Sequence, residues 1–253
     1  MMRIKPMLHD PIARADALRA RHDALSGADL IGATLRDPDA GRLALVSSFG
    51  AESVVLLHMV SRVAPDTPVL FIDTQMLFAE TLAYQHELAK TLDLRDIRVI
   101  GPDRAELAAE DPQGRLHRVD TDACCALRKS RPLEAALQGF DGWITGRKRH
   151  QADTRTALSR FEVATGRVRF NPLADWLAAD LSAYIDRHAL PRHPLMARGY
   201  PSIGCAPCTS PVAAGEDPRA GRWRGQEKTE CGIHFIGGKP VRVPQEAKRE
   251  DAA

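Results

Sequence analysis

Cysteines are the residues in this sequence whose type and spacing point most directly to chemistry. Four of the five cysteines form two close pairs, Cys124 with Cys125 in "DACCAL" and Cys205 with Cys208 in "GCAPC". Such thiolates could hold structural zinc or an iron–sulfur cluster. Zinc sites usually place about two to four residues between paired cysteines, so the adjacent pair fits zinc poorly. Buried thiols without a metal are the remaining alternative.

Disulfide bonds do not account for these cysteines. The count is odd, neighbouring cysteines make a strained bridge, and 253 residues can bury a core without cross-links. The N-terminal "MMRIKPMLHDPIARADALRARHD" leads into no apolar run, and no stretch reaches the roughly 20 apolar residues of a membrane span. We therefore predict a cytoplasmic protein with no membrane partner, in which thiols bind metal or act in catalysis.

The fifth cysteine, Cys231 in "KTECGIH", lies outside both pairs. Only a few per cent of a thiol with a pKa of about 8.5 is ionised at neutral pH, so nearby cations would increase its reactivity. Glu230 opposes this effect. The neighbouring cations in the sequence are Arg219, Arg222, Lys228 and His234. Cys231 is either a nucleophile or an incidental thiol.

Apolar runs alternate with helical periodicity in the elements that must position these residues. Residues 10–40 have helical spacing that ends near Asp37 and Pro38. The predicted strands are Leu43–Ser48, Pro68–Asp73, Ile97–Gly101 and Gly142–Gly146. The further predicted helices are 52–63, 77–92, 128–140 and Asp175–Leu190. This alternation predicts an α/β fold with a mostly parallel sheet, helices on both faces and ligands at the carboxyl ends of the strands.

The C-terminal part of the sequence is less regular. Everything past Ser202 is rich in glycine, proline and charge, which predicts a poorly packed segment. We divide the chain into an α/β domain over residues 1–210, which carries the cysteine centre, and a flexible tail over residues 211–253, which carries Cys231.

Three loops at predicted strand ends are candidates for binding an anion. "SSFGAES" places Ser47, Ser48, Gly50 and Ser53 between a strand and a helix, where hydroxyl and free N–H groups can hold phosphate. Ordinary helix capping is the alternative. Further candidates follow two other strands, and they are Asp73 in "FIDTQ" and Gly146, Arg149 and Arg155 in "WITGRKRHQADTR". A turn residue and solvated arginines are the alternative there.

The overall charge argues against a nucleic-acid partner. The formal net charge is only +2, and the basic residues form short local clusters in "LRKSR", "GRKRH" and "DPRAGRWRG". Such clusters suit a small anionic ligand.

Together the motifs resemble the iron–sulfur type of sulfonucleotide reductase, the assimilatory adenylyl-sulfate (APS) reductases. The resemblance runs from about Ala44 to His234 and rests on "SSFGAES", "IDTQ", "CCALRKSRPL", "WITGRKRHQADTR", "NPLADW", "GYPSIGCAPCTSP", "RAGRW" and "KTECGIH". It implies the fold of the adenine nucleotide α-hydrolases and a 4Fe-4S cluster on Cys124, Cys125, Cys205 and Cys208. Gln75, where the family often has glycine, is a departure from the pattern, as are His150 and Ala152.

The resemblance also implies a reaction. Cys231 would attack the sulfur of APS, expel AMP and carry an S-sulfonate, from which thioredoxin would release sulfite. No redox domain with its own dithiol follows residue 240, so thioredoxin is expected as a separate partner. The residues expected to bind APS are Ser47, Ser48, Gly50, Ser53, Asp73, Lys129, Gly146, Arg149, Arg155, Arg219, Arg222 and His234. A homo-oligomer is compatible with the sequence.

Two hypotheses concern how these parts work together. The cluster would position Lys129, four residues past Cys125, beside the bound sulfate. Arg219 and Arg222 would move with the tail and clamp the substrate.

Three alternatives to an APS reductase remain open. The first is a reductase acting on 3′-phosphoadenylyl sulfate (PAPS) or on both nucleotides. The second is a nucleotide-activating ligase or tRNA-thiolating enzyme of the same fold, which would use an SGGxDS loop that "SSFGAES" does not match. The third is an iron–sulfur sensor that binds adenylate without catalysis.

Overall fold

A mixed sheet forms the centre of the computed structural model, which describes residues 9–151, 155–226 and 228. Within these residues the sheet has six strands in the order β3-β2-β1-β4-β6-β5. The strands are β1 (Leu43–Ser47), β2 (Val69–Ile72), β3 (Ile97–Ile100), β4 (Gly142–Ile144), β5 (Phe161–Ala164) and β6 (Arg167–Phe170). All neighbouring strands are parallel except β5 and β6, which form an antiparallel pair.

Helices connect and cover these strands. They are α1 (Pro11–His22), α2 (Gly27–Arg36), α3 (Ser53–Val63), α4 (Ala79–Thr91), α5 (Arg104–Glu110), α6 (Leu116–Val119), α7 (Thr121–Cys125), α8 (Arg131–Ala136) and α9 (Ala178–Arg187). A π-helical turn, Ala126–Ser130, joins α7 to α8. Within the described residues no helix has the length and apolar character needed to cross a bilayer.

Alternate residues of the strands pack into two separate apolar layers. Leu45 and Phe71 lie in the larger layer with side chains of α1, α2, α3, α4 and α9. Leu70 and Trp143 lie in the smaller layer with Leu133 of α8. Because successive side chains of a strand point to opposite faces, a sheet covered on both faces needs continuous apolar runs. The predicted α/β fold with a mostly parallel sheet is therefore confirmed.

The order in which strands are added to the sheet switches sides between β1 and β4. From β1 the chain proceeds to β2 and β3 on one side, whereas β4, β6 and β5 lie on the other side. Crevices at the carboxyl ends of parallel strands open at such a point and commonly bind ligands. The loops that follow β1 and β4 border this crevice.

Two local predictions were incomplete. The helical pattern over residues 10–40 is two helices, because the chain turns at Gly27 with a φ of 53° that favours glycine. The hairpin of β5 and β6 was not predicted, although β6 alternates polar and apolar residues and follows Thr165 and Gly166, which both have the positive φ of a tight hairpin turn.

The expectation of a poorly packed segment past Ser202 is wrong for residues 203–210 and 219–223, whereas most of residues 211–218 are exposed, as expected. An isolated antiparallel bridge joins Leu77 to Cys205, and the amide of Ser210 donates to the carbonyl of Gly221 at 2.8 Å. Trp223 is only 3% exposed. Backbone hydrogen bonds and one buried aromatic ring hold this segment, and neither produces a periodic apolar pattern in the sequence. The domain boundary near residue 210 stays a prediction.

Candidate active site

A cavity of about 400 Å³ opens at the carboxyl ends of β1 and β4. Its wall combines apolar side chains such as Leu45 and Leu57 with a group of cations. The predicted substrate-binding residues that line it are Ser47, Ser48, Gly50, Ser53, Lys129, Gly146, Arg155, Arg219 and Arg222. The fold thus brings together most of the residues selected from separate motifs. The serines and Gly146 lie at or after the carboxyl ends of the neighbouring parallel strands β1 and β4. Lys129 lies in the π-helical turn, whereas Arg219 and Arg222 lie in the C-terminal segment.

The loop after β1 carries the predicted anion-binding groups. Phe49 has a φ of 47° and is fully buried, with its ring edge-on to Phe71 at a centroid distance of 5.1 Å. A Cβ on Gly50 would lie 3.5 Å from the carbonyl oxygen of Ile203. A side chain larger than that of alanine would therefore press on the cavity wall. Helix α3 begins at Ser53 without a side-chain cap. Its positive dipole end therefore favours an anion, although the amides of Ser53 and Val55 already donate to the carbonyls of Gly50 and Glu52.

Lys148 is a cavity residue that the sequence reasoning did not select. It is only 3% exposed, and its Nζ lies 2.8 Å from a carboxylate oxygen of Glu52. Burial lowers the pKa of Lys148, Glu52 opposes that shift, and the charges of Arg155 and Arg219 reinforce it. Gln151 connects the group, donating to Glu52 at 3.0 Å and accepting from Arg155 at 2.6 Å. The sequence signal that could have identified Lys148 was the basic cluster "GRKRH", from which we selected the neighbouring Arg149 instead.

Arg149 and Asp73 are not among the residues that line the cavity. The Nε of Arg149 donates to the carbonyl of Leu158 at 2.8 Å, and its guanidinium pairs with Asp175. A carboxylate oxygen of Asp73 accepts from the amide of Gln75 at 2.8 Å, which is the turn that we considered as its alternative. Gln75 has a φ of 58°, a conformation that explains why glycine suits this position.

The four paired cysteines approach one another beside the cavity. Cys124, Cys125 and Cys205 are buried, and Cys208 is half-buried. Burial raises the pKa of Cys124 to about 11, with Arg128 opposing the shift and the thiols of Cys205 and Cys208 adding to it. Cys205 also lines the cavity, with its Sγ 3.2 Å from the hydroxyl of Thr74.

Local structure explains how the two pairs meet. Asp120 caps α7 by accepting from the amides of Asp122 and Ala123, which fixes the helix that ends in the first pair. The amide of Ala206 donates to the carbonyl of Met76 at 2.8 Å and holds the second pair against the loop after β2.

Four thiols are a donor set that an iron–sulfur cluster takes. Within the described part of the chain no group of three or more His, Cys, Asp or Glu side chains is arranged around one ion. A cluster spreads its ligands over several irons. Arg128, Lys129, Arg222 and Lys228 place positive charge near these thiols, as an anionic thiolate-ligated cluster requires. The buried Nε of Arg128 has no hydrogen-bond partner among the described residues.

Two predicted site residues, Cys231 and His234, lie outside the described residues. The described residue nearest to them in the sequence is Lys228.

Comparison with known proteins agrees with this geometry. Residues 42–211 match the model of the phosphoadenosine phosphosulfate reductase domain. A protein of Mesorhizobium japonicum named adenosine 5′-phosphosulfate reductase is 49% identical and covers 89% of each chain. One of the same name from Chelativorans sp. is 47% identical, over 93% of this chain and 97% of its own. A Gloeobacter violaceus protein named phosphoadenosine 5′-phosphosulfate reductase is 43% identical, over 76% of this chain and 82% of its own.

Solved structures show the same fold. The phosphoadenylyl-sulfate reductase of Candida auris, solved with phosphate, has a TM-score of 0.65 and 28% identity, covering 78% of this chain and 96% of its own. An FMN adenylyltransferase of Candida glabrata shares the fold alone, with a TM-score of 0.53 at 15% identity, over 98% of this chain and 84% of its own. The resemblance drawn from the motifs is therefore confirmed, and the chain belongs to the phosphoadenosine phosphosulfate reductase family of oxidoreductases.

Proposed function

We propose that this protein reduces adenylyl sulfate to sulfite and AMP, as a step of sulfate assimilation that leads to cysteine biosynthesis. The observation that carries the proposal is a shared wall: the loop after β1, a group of cations and Cys205 of the cysteine centre all line one cavity. The cavity is large enough for a nucleotide, and its cations match a phosphosulfate. The two relatives at 49% and 47% identity carry the name adenosine 5′-phosphosulfate reductase.

The reaction begins with nucleophilic attack by Cys231. Its thiolate forms a bond to the sulfur of the sulfate group, and the bond from that sulfur to the bridging phosphate oxygen breaks. AMP leaves with the electron pair, and Cys231 carries an S-sulfonate. Lys129, Lys148 and Arg155 line the cavity and would neutralise the charge that develops on the leaving phosphate.

The second half-reaction needs a dithiol reductant, which we propose to be thioredoxin. One thioredoxin thiolate attacks the Sγ of Cys231, and sulfite leaves with the electron pair of the broken sulfur–sulfur bond. The second thioredoxin thiol then resolves the mixed disulfide, so that Cys231 is restored and thioredoxin is oxidised. The other four cysteines are assigned to the cluster, so none in this sequence is left to reduce Cys231. Free thiols of this kind suit the reducing cytoplasm.

A 4Fe-4S cluster would be held by Cys124, Cys125, Cys205 and Cys208. When bound, it supplies a fixed charge distribution beside the substrate site. Lys129 lines the cavity and places its charge near Cys208, so it connects the cysteine centre with the anionic substrate.

A reductase for PAPS, or for both nucleotides, is the second candidate. The relative from Gloeobacter violaceus carries that name at 43% identity. Beyond the cations selected from the sequence, the cavity contains Arg147 and Lys148, which could receive an additional phosphate.

The proposal is tested by trapping the intermediate. Anaerobically purified protein is incubated with APS, and separately with PAPS, without a thiol reductant, and its peptides are mapped by mass spectrometry. We expect an SO₃ adduct on Cys231 with APS and release of AMP in equal amount, with neither in Cys231→Ser. An adduct with PAPS alone would establish the second candidate. No adduct from either nucleotide, in protein that retains its iron and sulfide, would exclude Cys231 as the nucleophile and favour the sensor.

A further inference from the structure

The C-terminal segment is fastened to the helix that carries two of the cluster cysteines. The Nζ of Lys228 lies 2.5 Å from a carboxylate oxygen of Asp122 and 3.4 Å from the carbonyl oxygen of Thr121. The hydroxyl of Thr121 donates to the side-chain oxygen of Gln226 at 2.7 Å. We call these contacts of Gln226 and Lys228 with Thr121 and Asp122 the tail clasp. They join residues 226 and 228 of the tail to the first turn of α7, the helix that ends in Cys125.

Trp223 holds the same segment from the other side. Its amide donates to the carbonyl of Cys208 at 3.0 Å, and its ring is 3% exposed. The guanidinium of Arg222 lies 4.5 Å from the ring centroid and the Nζ of Lys228 lies 5.7 Å from it. The φ of Trp223 is 49°, which costs free energy for a bulky residue and persists only when the surrounding packing imposes it. The segment from Arg222 to Lys228 is thus tied to both pairs of cysteines.

Chain length then limits where Cys231 can go. Cys231 is three residues past Lys228, and three residues span at most about 11 Å between Cα atoms. With the clasp closed, Cys231 is therefore tethered to the start of α7 by this short length of chain. Without it, the tail would be held only from Trp223, eight residues away, with a reach of about 28 Å. A shorter tether raises the effective concentration of the thiol at the substrate.

We propose that Lys228 and Asp122 are positioning residues for sulfonate transfer to Cys231. The clasp fixes Gln226 and Lys228 to the cluster-bearing helix, so the attachment nearest to Cys231 among the described residues is three positions before it. This inference rests on the proposed function. Arg219 and Arg222 line the cavity, and their movement with the tail stays a prediction. An intact cluster would support transfer by holding α7, to which the clasp is attached.

The test measures single-turnover transfer from APS in Lys228→Met and Asp122→Asn. We expect the rate of adduct formation on Cys231 to fall about tenfold or more, because the thiol is less well placed, while the Kd for AMP changes less than about threefold. Alkylation of Cys231 by iodoacetamide, mapped by peptide mass spectrometry, should become faster in both variants. The exchanged pair, Asp122→Lys with Lys228→Asp, should recover much of the transfer rate.

A matched control is Arg224→Met, which breaks the exposed ion pair of Arg224 with Glu216 in the same segment without touching α7. It should transfer at the wild-type rate. Iron and sulfide content are measured in every variant, and Thr121→Val combined with Gln226→Met opens the clasp if the charge variants lose iron. Unchanged transfer and alkylation in clasp variants that keep their cluster would overturn the inference. Failure of the wild-type protein to form the adduct would instead overturn the proposed function.

Discussion

The buried amine of Lys148 lies 2.8 Å from the carboxylate of Glu52, and both residues line the cavity at the carboxyl ends of β1 and β4. Glu52 is the residue directly before α3, so its carboxylate lies at the N-terminal end of this helix, where the helix dipole attracts negative charge. A bound phosphosulfate would compete with Glu52 for the charge of Lys148. We therefore expect the pair to influence both the affinity for anions and the pH dependence of that affinity.

Replacing Glu52 should change how AMP binding depends on pH. Burial lowers the pKa of Lys148 and Glu52 opposes that shift, so Glu52→Gln should lower this pKa further. Lys148 attracts an anion only below its pKa. We expect Glu52→Gln to bind AMP more tightly than wild type at about pH 6, with an advantage that shrinks as the pH rises. Calorimetric titrations between about pH 6 and pH 9 measure this.

Lys148→Arg is the control for that experiment, because a guanidinium stays charged throughout this range. Its affinity for AMP should vary less with pH than that of Glu52→Gln. Parallel pH profiles for wild type and both variants would show that Lys148 does not contact the nucleotide.

Breaking the ion pair between Arg128 and Asp111 should destabilise the fold beside the cysteine centre. The pair is 2.7 Å long and both side chains are at most 5% exposed. Burial raises the pKa of Asp111, but the hydrogen bond from Arg128 and those from the backbone outweigh it, so the pKa lies below its ordinary value. Asp111→Asn should lower the free energy of unfolding by about 3–5 kcal/mol, since it leaves a buried charge uncompensated.

Urea denaturation of the Asp111 variant measures this loss, and iron content shows whether the cluster is retained. Asp96→Asn breaks an exposed pair with Arg98 and serves as the control. That change should cost less than about 1 kcal/mol. Equal losses in the two variants would contradict the role assigned to Arg128 and Asp111.

His193 should make the protein less stable in acid. Burial lowers its pKa from 6.5 to about 4, and its Nδ1 accepts from the amide of Leu195 at 3.2 Å. The folded state keeps the ring neutral, whereas the unfolded chain takes up a proton near pH 6.5. Stability from this group is therefore present above pH 6.5 and is lost as the pH falls toward 4, by up to about 3 kcal/mol.

Denaturation at several pH values, in wild type and His193→Gln, tests the assignment. The variant should show a shallower loss between pH 6.5 and 4 than the wild type. His86→Gln, at an exposed position, should follow the wild-type curve. If the free energy of unfolding of His193→Gln falls with pH as steeply as that of the wild type, other groups cause the acid sensitivity.

Gly221 should not tolerate a side chain. A Cβ at this position would lie 2.1 Å from the carbonyl oxygen of Ser210, which is backbone and cannot turn away. Gly221→Ala should push the two segments apart, lower the free energy of unfolding by about 1–3 kcal/mol and weaken AMP binding through displacement of Arg222. Denaturation and calorimetry measure the two effects. Gly101→Ala, whose nearest contact would be an ordinary 3.8 Å, should behave as wild type.

Replacing Lys129 should slow sulfonate transfer to Cys231 without reducing the amount of cluster that is assembled. It lines the cavity and its charge acts on Cys208. Loss of one hydrogen bond to a charged group predicts that Lys129→Ala lowers the single-turnover rate with APS by about ten- to a hundredfold. Iron content should stay at the wild-type level. Full turnover by a variant with an intact cluster would remove Lys129 from the mechanism.

The sheet and the grouping of site residues could be predicted from the sequence because their signals are local. The runs at residues 43–46 and Val69–Ile72 are apolar throughout, which indicates strands buried on both faces. Loops that follow parallel strands end at the same edge, so Ser48 and Gly146 were expected near one another, and both line the cavity. The four paired cysteines were likewise expected to act together.

Other features depended on contacts between distant segments. Helix α5 and the helices around Cys124 were not predicted, because they are short and their packing partners are far away in the sequence. Arg149 and Lys148 are adjacent and both basic, yet only Lys148 lines the cavity. Which of two neighbouring side chains faces inward depends on the backbone dihedral angles of a loop, and composition does not determine them.

The sequence alone determined the alternation of strands and helices from β1 to β4, the clustering of thiols and the family to which the chain belongs, since each of these follows from residue type and spacing. Tertiary structure decided the order of the strands, that Lys148 pairs with Glu52, that residues 203–210 and 219–223 pack against the body, and that Lys228 is fastened to α7. These contacts join residues about 100 positions apart. Their free energy depends on burial and distance, which arise only after the chain has folded.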